Sequence, residues 1–85
     1  MQNTVYYLVH RDTGLRLRYY KTLAGARIAQ RARNQRLGFH ERIERIEWDN
    51  NWEVEMCRDS DNNIVAATYC VVEGIIDCED MFNGS

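Results

Sequence analysis

Three glutamates come closest to a catalytic arrangement in this chain. Glu47, Glu53 and Glu55 alternate so that they would share one face of a β-hairpin, and carboxylates placed together can transfer protons or hold a magnesium ion. No lysine or histidine stands beside them in the sequence, and such a set is typical of a solvated strand face. We therefore predict no catalytic residues and a protein that is not an enzyme.

The run of residues 59–63 begins like a calcium-binding loop. Such a loop needs a glycine next and a glutamate at its twelfth position, and here these positions hold Ile64 and Cys70. A cluster of aspartate, serine and asparagine is also typical of a turn. We predict a turn at residues 59–63 and no metal site.

The cysteines and histidines show none of the spacings that zinc requires; they are Cys57, Cys70, Cys78, His10 and His40. An odd number of cysteines without close pairing favours free thiols in a reducing compartment over a disulfide framework. Cys57 and Cys70 fall within strand-like segments, where we expect packed, inert thiols. No apolar run is long enough to span a bilayer. The sequence thus predicts a soluble, cytoplasmic protein with no cofactor and no membrane partner.

Arginines interleaved with aromatic rings are the best candidates for a binding surface. Cations between flat rings can hold phosphates and stack bases. Arg27 and Arg31, one helical turn apart, would add a second basic row, although arginines opposite the buried face of a helix are often simply solvated. The predicted partner-binding residues are Tyr6, His10, Arg16, Arg18, Tyr20, Arg27 and Arg31.

Charge is divided unevenly along the chain. Residues 1–45 carry ten basic side chains against three acidic ones, a net charge of +7, whereas residues 46–85 carry one against ten, a net charge of −9. This asymmetry points to a charged partner or to self-association. Because ten carboxylates would repel a polyanion, we expect a protein partner first. The alternative hypothesis is a nucleic-acid-binding module, and the third is a self-assembling structural protein.

Alternation with period two predicts a β-hairpin from residues 4–10 and 15–20, joined by a turn that contains Gly14. Tyr7 would face Tyr19, and Val9 would face Leu17, on the core side. The opposite, exposed face would then carry Tyr6, Leu8, His10, Arg16, Arg18 and Tyr20.

A helix capped by Thr22 and ended at Gly38 should follow the hairpin. Its small and apolar residues predict the buried face: Ala24, Gly25, Ile28, Ala29 and Ala32. The opposite face would carry Arg27, Gln30, Arg31 and Asn34.

Residues 39–48 are ambiguous between helix and strand, and their context favours a strand. A tight loop at residues 49–51 would give a hairpin with five pairs: Trp48 with Trp52, Ile46 with Val54, Glu44 with Met56, Arg45 with Glu55, and Ile43 with Cys57. A strand at residues 64–72 would follow, extended by Ile75 and Ile76. We predict an α+β domain over residues 1–76, an antiparallel sheet with one helix on a face in the order ββαβββ, and a frayed acidic tail at 77–85.

Exposed strand edges would permit a homodimer. Val65, Ala67, Tyr69 and Val71 offer an uncharged face of one strand. Pairing of identical edge strands closes as a two-fold dimer, whereas contact between the basic and acidic regions could grow without closure. We expect the edge-to-edge dimer if the chain self-associates.

The layout resembles that of certain small phage-encoded anti-CRISPR proteins over residues 20–55. The stretches that carry the resemblance are Thr22-Leu23-Ala24, Ala26-Arg27-Ile28-Ala29, Phe39-His40, Arg45-Ile46-Glu47 and Trp52. The resemblance implies one helix on an antiparallel sheet and a phage or mobile-element inhibitor that docks on a bacterial defence complex in the host cytoplasm. It transfers no individual binding residue, because no signature anchors one.

Overall fold

A computed structural model describes residues 2–49 and 51–77 and places six strands and one helix in them. The elements are β1 (Gln2–His10), β2 (Leu15–Tyr20), α1 (Leu23–Arg36), β3 (Glu41–Trp48), β4 (Trp52–Arg58), β5 (Ile64–Ala66) and β6 (Tyr69–Asp77). The predicted antiparallel α+β class and the ββαβββ order are confirmed, with the last strand divided into β5 and β6. The ambiguous segment is a strand over Glu41–Trp48.

The strands form one antiparallel sheet in the order β2-β1-β6-β4-β3, and β5 also pairs with β4. β6 therefore lies inside the sheet, between β1 and β4. The edge pairing predicted for Val65, Ala67, Tyr69 and Val71 is wrong, because β5 and β6 pair with β4, and Ala67 and Val71 are buried. β6 extends to Asp77, which pairs with Gln2; the tail prediction for residues 78–85 lies outside the described residues.

The β1–β2 hairpin contains a bulge that alternation alone did not predict. Tyr7 faces Tyr19 as expected, but the register shifts between Leu8 and Val9, so that Val9 faces Arg16 instead of Leu17. A bulge adds one residue to one strand and changes the face to which the side chains beyond it point. Arg16 consequently lies on the face of Tyr7 and Val9, opposite to the face of Arg18.

Both helix caps follow the predicted chemistry. Thr22 accepts a hydrogen bond from the Gly25 amide at 3.1 Å, and Gly38, at a φ of 96°, takes the left-handed conformation just after the C-cap.

The predicted buried face of α1 is wrong. Its buried residues are Ala26, Gln30 and Asn34, whereas the side of Ile28, which is 72% exposed, faces outward.

Hydrogen bonds explain why Asn34 of α1 faces the sheet; the buried side-chain amide of Gln30 has no hydrogen-bond partner within the described residues. The Asn34 side chain donates to Glu55 Oε1 and to the Tyr69 carbonyl, both at 3.0 Å, and accepts from the Tyr69 amide at 2.9 Å. A buried amide group that finds all these partners costs little to desolvate and fixes the helix in one position. The helix is therefore anchored by polar contacts as well as by apolar burial.

The apolar core occupies both faces of the sheet. On the face covered by α1, the paired residues Leu8 and Val71 are buried, as is Ala26 of the helix. On the other face, Val9, Val54, Cys70 and Val72 form a cluster against which Tyr7 and Trp52 pack. No described helix covers this second cluster, so its burial requires a sheet that twists and curls over its own side chains.

Candidate functional site

The predicted exposed face of the first hairpin lies under the helix. Leu8 is fully buried, and Tyr6, His10 and Tyr20 are half-buried. The Tyr20 ring packs against the first turn of α1 beside Gly25, and the His10 ring contacts the Tyr69 ring edge-on at 5.4 Å. The prediction that these rings share a solvent-facing surface with the arginines is wrong, because α1 packs on this face.

Arg16 and Arg18 are both exposed, but on opposite faces of the sheet. The Arg16 guanidinium lies 4.4 Å from the centroid of the Tyr7 ring, which contacts Tyr19 edge-on at 6.2 Å. The Arg18 guanidinium lies 5.1 Å from the Tyr20 ring. Each arginine thus makes a separate cation–π contact, and the structure does not join them into one basic surface.

A groove between α1 and β3 brings other arginines together. It has a volume of about 480 Å³. Its walls carry Arg27, Ile28, Arg31, Ala32 and Gln35 from α1, and Arg42 and Arg45 from β3. We call it the arginine groove. Two of its arginines, Arg27 and Arg31, were predicted to bind a partner; Arg42 and Arg45 were not.

A second bulge brings Arg42 into the arginine groove. In the β3–β4 register, Trp48, Ile46 and Arg45 have the predicted partners. The register then shifts between Arg42 and Glu44, so that Arg42 faces Cys57 in place of Ile43. Because Cys57 and Glu55 are two residues apart on β4, their partners Arg42 and Arg45 lie on the same side of the hairpin. The prediction that Ile43 faces Cys57 is therefore wrong.

The sequence held a signal for this bulge. Residues 41–46 repeat Glu-Arg-Ile twice, and a period of three places equivalent residues on alternate faces of a regular strand. One extra residue between Arg42 and Arg45 restores them to a common face. A repeat of odd length within a strand segment thus indicates a bulge.

Glu53 neutralises part of the arginine groove. Arg27 donates to it from Nε and Nη2, each at 2.7 Å, and Arg45 Nε lies 3.6 Å from its Oε1. The hydrogen bonds from Arg27 hold the pKa of Glu53 below its usual value. Burial, together with the charges of Arg42 and Arg27, lowers the pKa of Arg45, which is the effect of crowding cations in one place. The arginine groove retains an excess of positive charge.

Two hydrogen-bonding groups beside the arginine groove have no partner within the described residues. Glu55 is fully buried, and its Oε2 accepts no hydrogen bond. Arg31 Nη1 is also buried and donates to nothing. Buried donors and acceptors are normally satisfied, and the Arg31 side chain does form a hydrogen bond with the Cys57 thiol, which holds its guanidinium against β4.

Two of the three glutamates that were candidates for acid–base chemistry instead form contacts within the fold. Glu53 binds Arg27 and Glu55 accepts from Asn34, so the expected solvated acidic face is wrong for both, while Glu47 is exposed. Within the described residues, no group of three histidine, cysteine or acidic side chains could hold a metal ion. The segment at residues 59–63 is a turn in which Asp59 Oδ1 accepts from the amides of Asp61 and Asn63, as predicted.

Cys57 and Cys70 are free thiols and both are buried, as predicted. Burial raises the pKa of Cys70 to about 11. Burial and the charge of Glu55 raise the pKa of Cys57, against the opposing charges of Arg31 and Arg42 and a hydrogen bond with the Arg31 side chain. Both sulfurs are therefore protonated and weakly nucleophilic near neutral pH.

No protein family, curated protein or solved structure matches the chain. The resemblance to anti-CRISPR proteins therefore stays a prediction. α1, the helix within the described residues, is too short and too polar to cross a bilayer.

Proposed function

We propose that the protein is a non-enzymatic binding protein that holds an acidic surface of a protein partner in the arginine groove. The observation that supports this most is the placement of four arginines on two facing walls, α1 and β3. Glu53 and Glu55 supply the countercharge beneath them, and Glu47 lines the neighbouring cavity with Arg27. Guanidinium groups arranged in this way bind carboxylates with defined geometry.

Two further features favour a protein over a nucleic acid in the arginine groove. The described lining contains no aromatic ring on which a base could stack. It does contain Ile28, which is 72% exposed and offers an apolar contact of the kind found in protein interfaces. The formal net charge of −2 also disfavours a polyanion as the general partner.

An affinity pull-down from bacterial lysate, with and without nuclease, tests this proposal. We expect a protein to be captured in both conditions by the natural chain, and to be lost with Arg42→Glu. Arg36→Glu is the matched control, because Arg36 is exposed in the last turn of α1 and lies outside the arginine groove. Capture that disappears after nuclease treatment, or that survives Arg42→Glu, would contradict the proposal.

Single-stranded nucleic acid is a second candidate, on a different surface. The Arg16 guanidinium over the Tyr7 ring, with Tyr19 beside it and 40% exposed, combines a cation with flat rings as base stacking requires. Titration with oligo(dT) at two salt concentrations, using Arg16→Glu against Arg18→Glu, examines this surface. Salt-sensitive binding that Arg16→Glu removes and Arg18→Glu retains would support it.

The narrower function follows from the resemblance to anti-CRISPR proteins. On that basis the protein partner would be a bacterial defence complex, and the protein would act in the host cytoplasm as a phage or mobile-element inhibitor. Phage plating on a host with an active CRISPR system, with and without the protein, checks this. Unchanged protection in the presence of a folded, expressed chain would contradict it.

A further inference from the structure

We infer that the arginine groove seats an acidic α-helix of the partner protein, lying alongside α1 over β3. This inference rests on the proposed function and specifies the shape and chemistry of the segment that is bound.

The helix-facing side of the sheet is left uncovered at β3. α1 packs over β1, β6 and β2, and it reaches β4 through the side chains of Arg27 and Asn34. Of the β3 side chains on this side, Arg42, Arg45 and Glu47 are exposed. On β4, by contrast, Glu55 and Cys57 are fully buried, so the uncovered strand is β3, at the edge of the described sheet. Because the space beside this edge is open, a helix about 10 Å in diameter has room to lie over β3 beside α1.

The chemistry of the arginine groove favours an acidic occupant. Its walls present four arginines, of which Arg42 and Arg45 on β3 are exposed. Arg27 already binds the Glu53 carboxylate through Nε and Nη2 at 2.7 Å each, which shows how a guanidinium on this wall receives a carboxylate. Glutamates spaced three and four residues apart on a helix would face both walls at successive turns.

The α1 wall also supplies an apolar strip. Ile28 and Ala32 are one turn apart and both are exposed. Adjacent helices pack about 8–10 Å apart through such rows of small and apolar side chains. A partner helix with glutamates toward β3 and leucine or alanine toward α1 would match this wall.

A second copy of the chain does not fit the same place. α1 has no acidic residue in its first turn and ends with Arg33 and Arg36, so another α1 would bring like charges together. A strand added to the outer edge of β3 would leave the space above the sheet unfilled. The acidic helix therefore belongs to a different protein.

Binding of synthetic peptides to the folded protein, followed by calorimetry and circular dichroism, tests the inference. The first probe is an acidic amphipathic peptide of about four helical turns, with glutamates on one face and a leucine strip on the other. The second has a central Pro-Gly pair that breaks its helix, and the third is oligo(dT) of equal charge. We expect the first to bind, to gain helicity on binding, and to bind at least about tenfold more tightly than the second.

Substitutions inside and outside the arginine groove test whether the first peptide binds there. Arg42→Glu and Arg31→Gln should each weaken the first peptide about tenfold or more, whereas Arg36→Glu should retain it; thermal unfolding confirms that each variant is folded. Equal binding of the helix-broken peptide, no binding of the first peptide, or Arg42-dependent preference for oligo(dT) would overturn the inference. If the pull-down still captures a protein in an Arg42-dependent way, the proposed function survives that outcome.

Discussion

Glu53 shows how one carboxylate joins the helix to the second hairpin. Because Arg27 donates two hydrogen bonds to it, the pKa of Glu53 lies below its usual value near 4.5. A carboxyl group with a lowered pKa in the folded state stabilises the fold above its usual pKa and loses that contribution as the pH falls through the folded value.

We therefore expect Glu53→Gln to lower the free energy of unfolding by about 1 kcal/mol at pH 7, since the pair is partly exposed. The difference from the natural chain should shrink as the pH falls below about 4.5. Urea denaturation at several pH values measures it, with Glu47→Gln as the exposed control. A deficit that stays constant down to acid pH would show that Glu53 does not act through its charge.

The two buried thiols should be unreactive in the native state. Burial raises the pKa of Cys70 to about 11, and Cys57 is fully buried with a raised pKa as well. A Cys78→Ser variant isolates these two sulfurs. We expect Ellman's reagent at pH 8 to react with them slowly in buffer and fully in denaturant, because thiolate and access are both lacking until the chain unfolds. Rapid labelling of the folded chain would contradict the placement of β4 and β6.

The docking of α1 depends on one amide side chain. Asn34 bridges the helix to Glu55 in β4 and to the backbone of Tyr69 in β6, and it is fully buried. Asn34→Ala would leave the Glu55 carboxylate and the Tyr69 amide without these partners. We expect the free energy of unfolding to fall by about 2–4 kcal/mol.

Urea unfolding of Asn34→Ala and of its exposed neighbour Gln35→Ala checks this expectation. Gln35 lies one residue along α1 and has the same amide chemistry, so Gln35→Ala should cost less than about 0.5 kcal/mol. Similar losses for the two variants would mean that the amide contacts of Asn34 contribute little and that apolar burial alone positions the helix.

Element types were predictable from the sequence, whereas the orientation of the helix was not. Alternation and turn residues identify both hairpins, and Thr22 and Gly38 identify the helix ends. Ranking α1 by apolarity selects Ile28 for the buried face, but the helix turns Gln30 and Asn34 inward. The partners that make burial of Asn34 favourable lie on β4 and β6, at sequence separations of 21 and 35 residues. The periodicity of residues within the helix therefore cannot show that Asn34 will find partners on β4 and β6.

The bulges explain what sequence reasoning missed at the candidate site. Strict alternation placed Arg16 with Arg18, and Ile43 opposite Cys57; one extra residue in each strand moves Arg16 to the other face and brings Arg42 into the arginine groove. A shift of one residue reverses the face of every side chain beyond it. The predicted binding surface was consequently divided, and Arg31, Arg42 and Arg45 were brought together instead.

At the scale of the whole molecule, the fold brings the two charged halves of the sequence into contact. Arg27 and Arg45, from the basic half, meet Glu53, and Arg58, the one basic residue of the acidic half, meets Glu41 at 3.0 Å. At Glu53, the charge asymmetry along the sequence thus becomes pairing in space. Four arginines of the basic half remain together in the arginine groove.

This pairing leads to an expectation about self-association. Open head-to-tail assembly would need the basic half of one chain to meet the acidic half of another, but Arg27 and Arg45 of the basic half already contact Glu53 of the acidic half within one molecule. We expect sedimentation velocity to give the same mass at low and at high salt, because the contact that would join two chains through charge is already made within each one. A mass that rises at low salt and falls as salt is added would show charge-driven assembly, and Glu53→Gln would then enhance it by releasing Arg27. A larger mass that is independent of salt would instead indicate pairing through the sheet edges that the fold leaves open, β2 and β3.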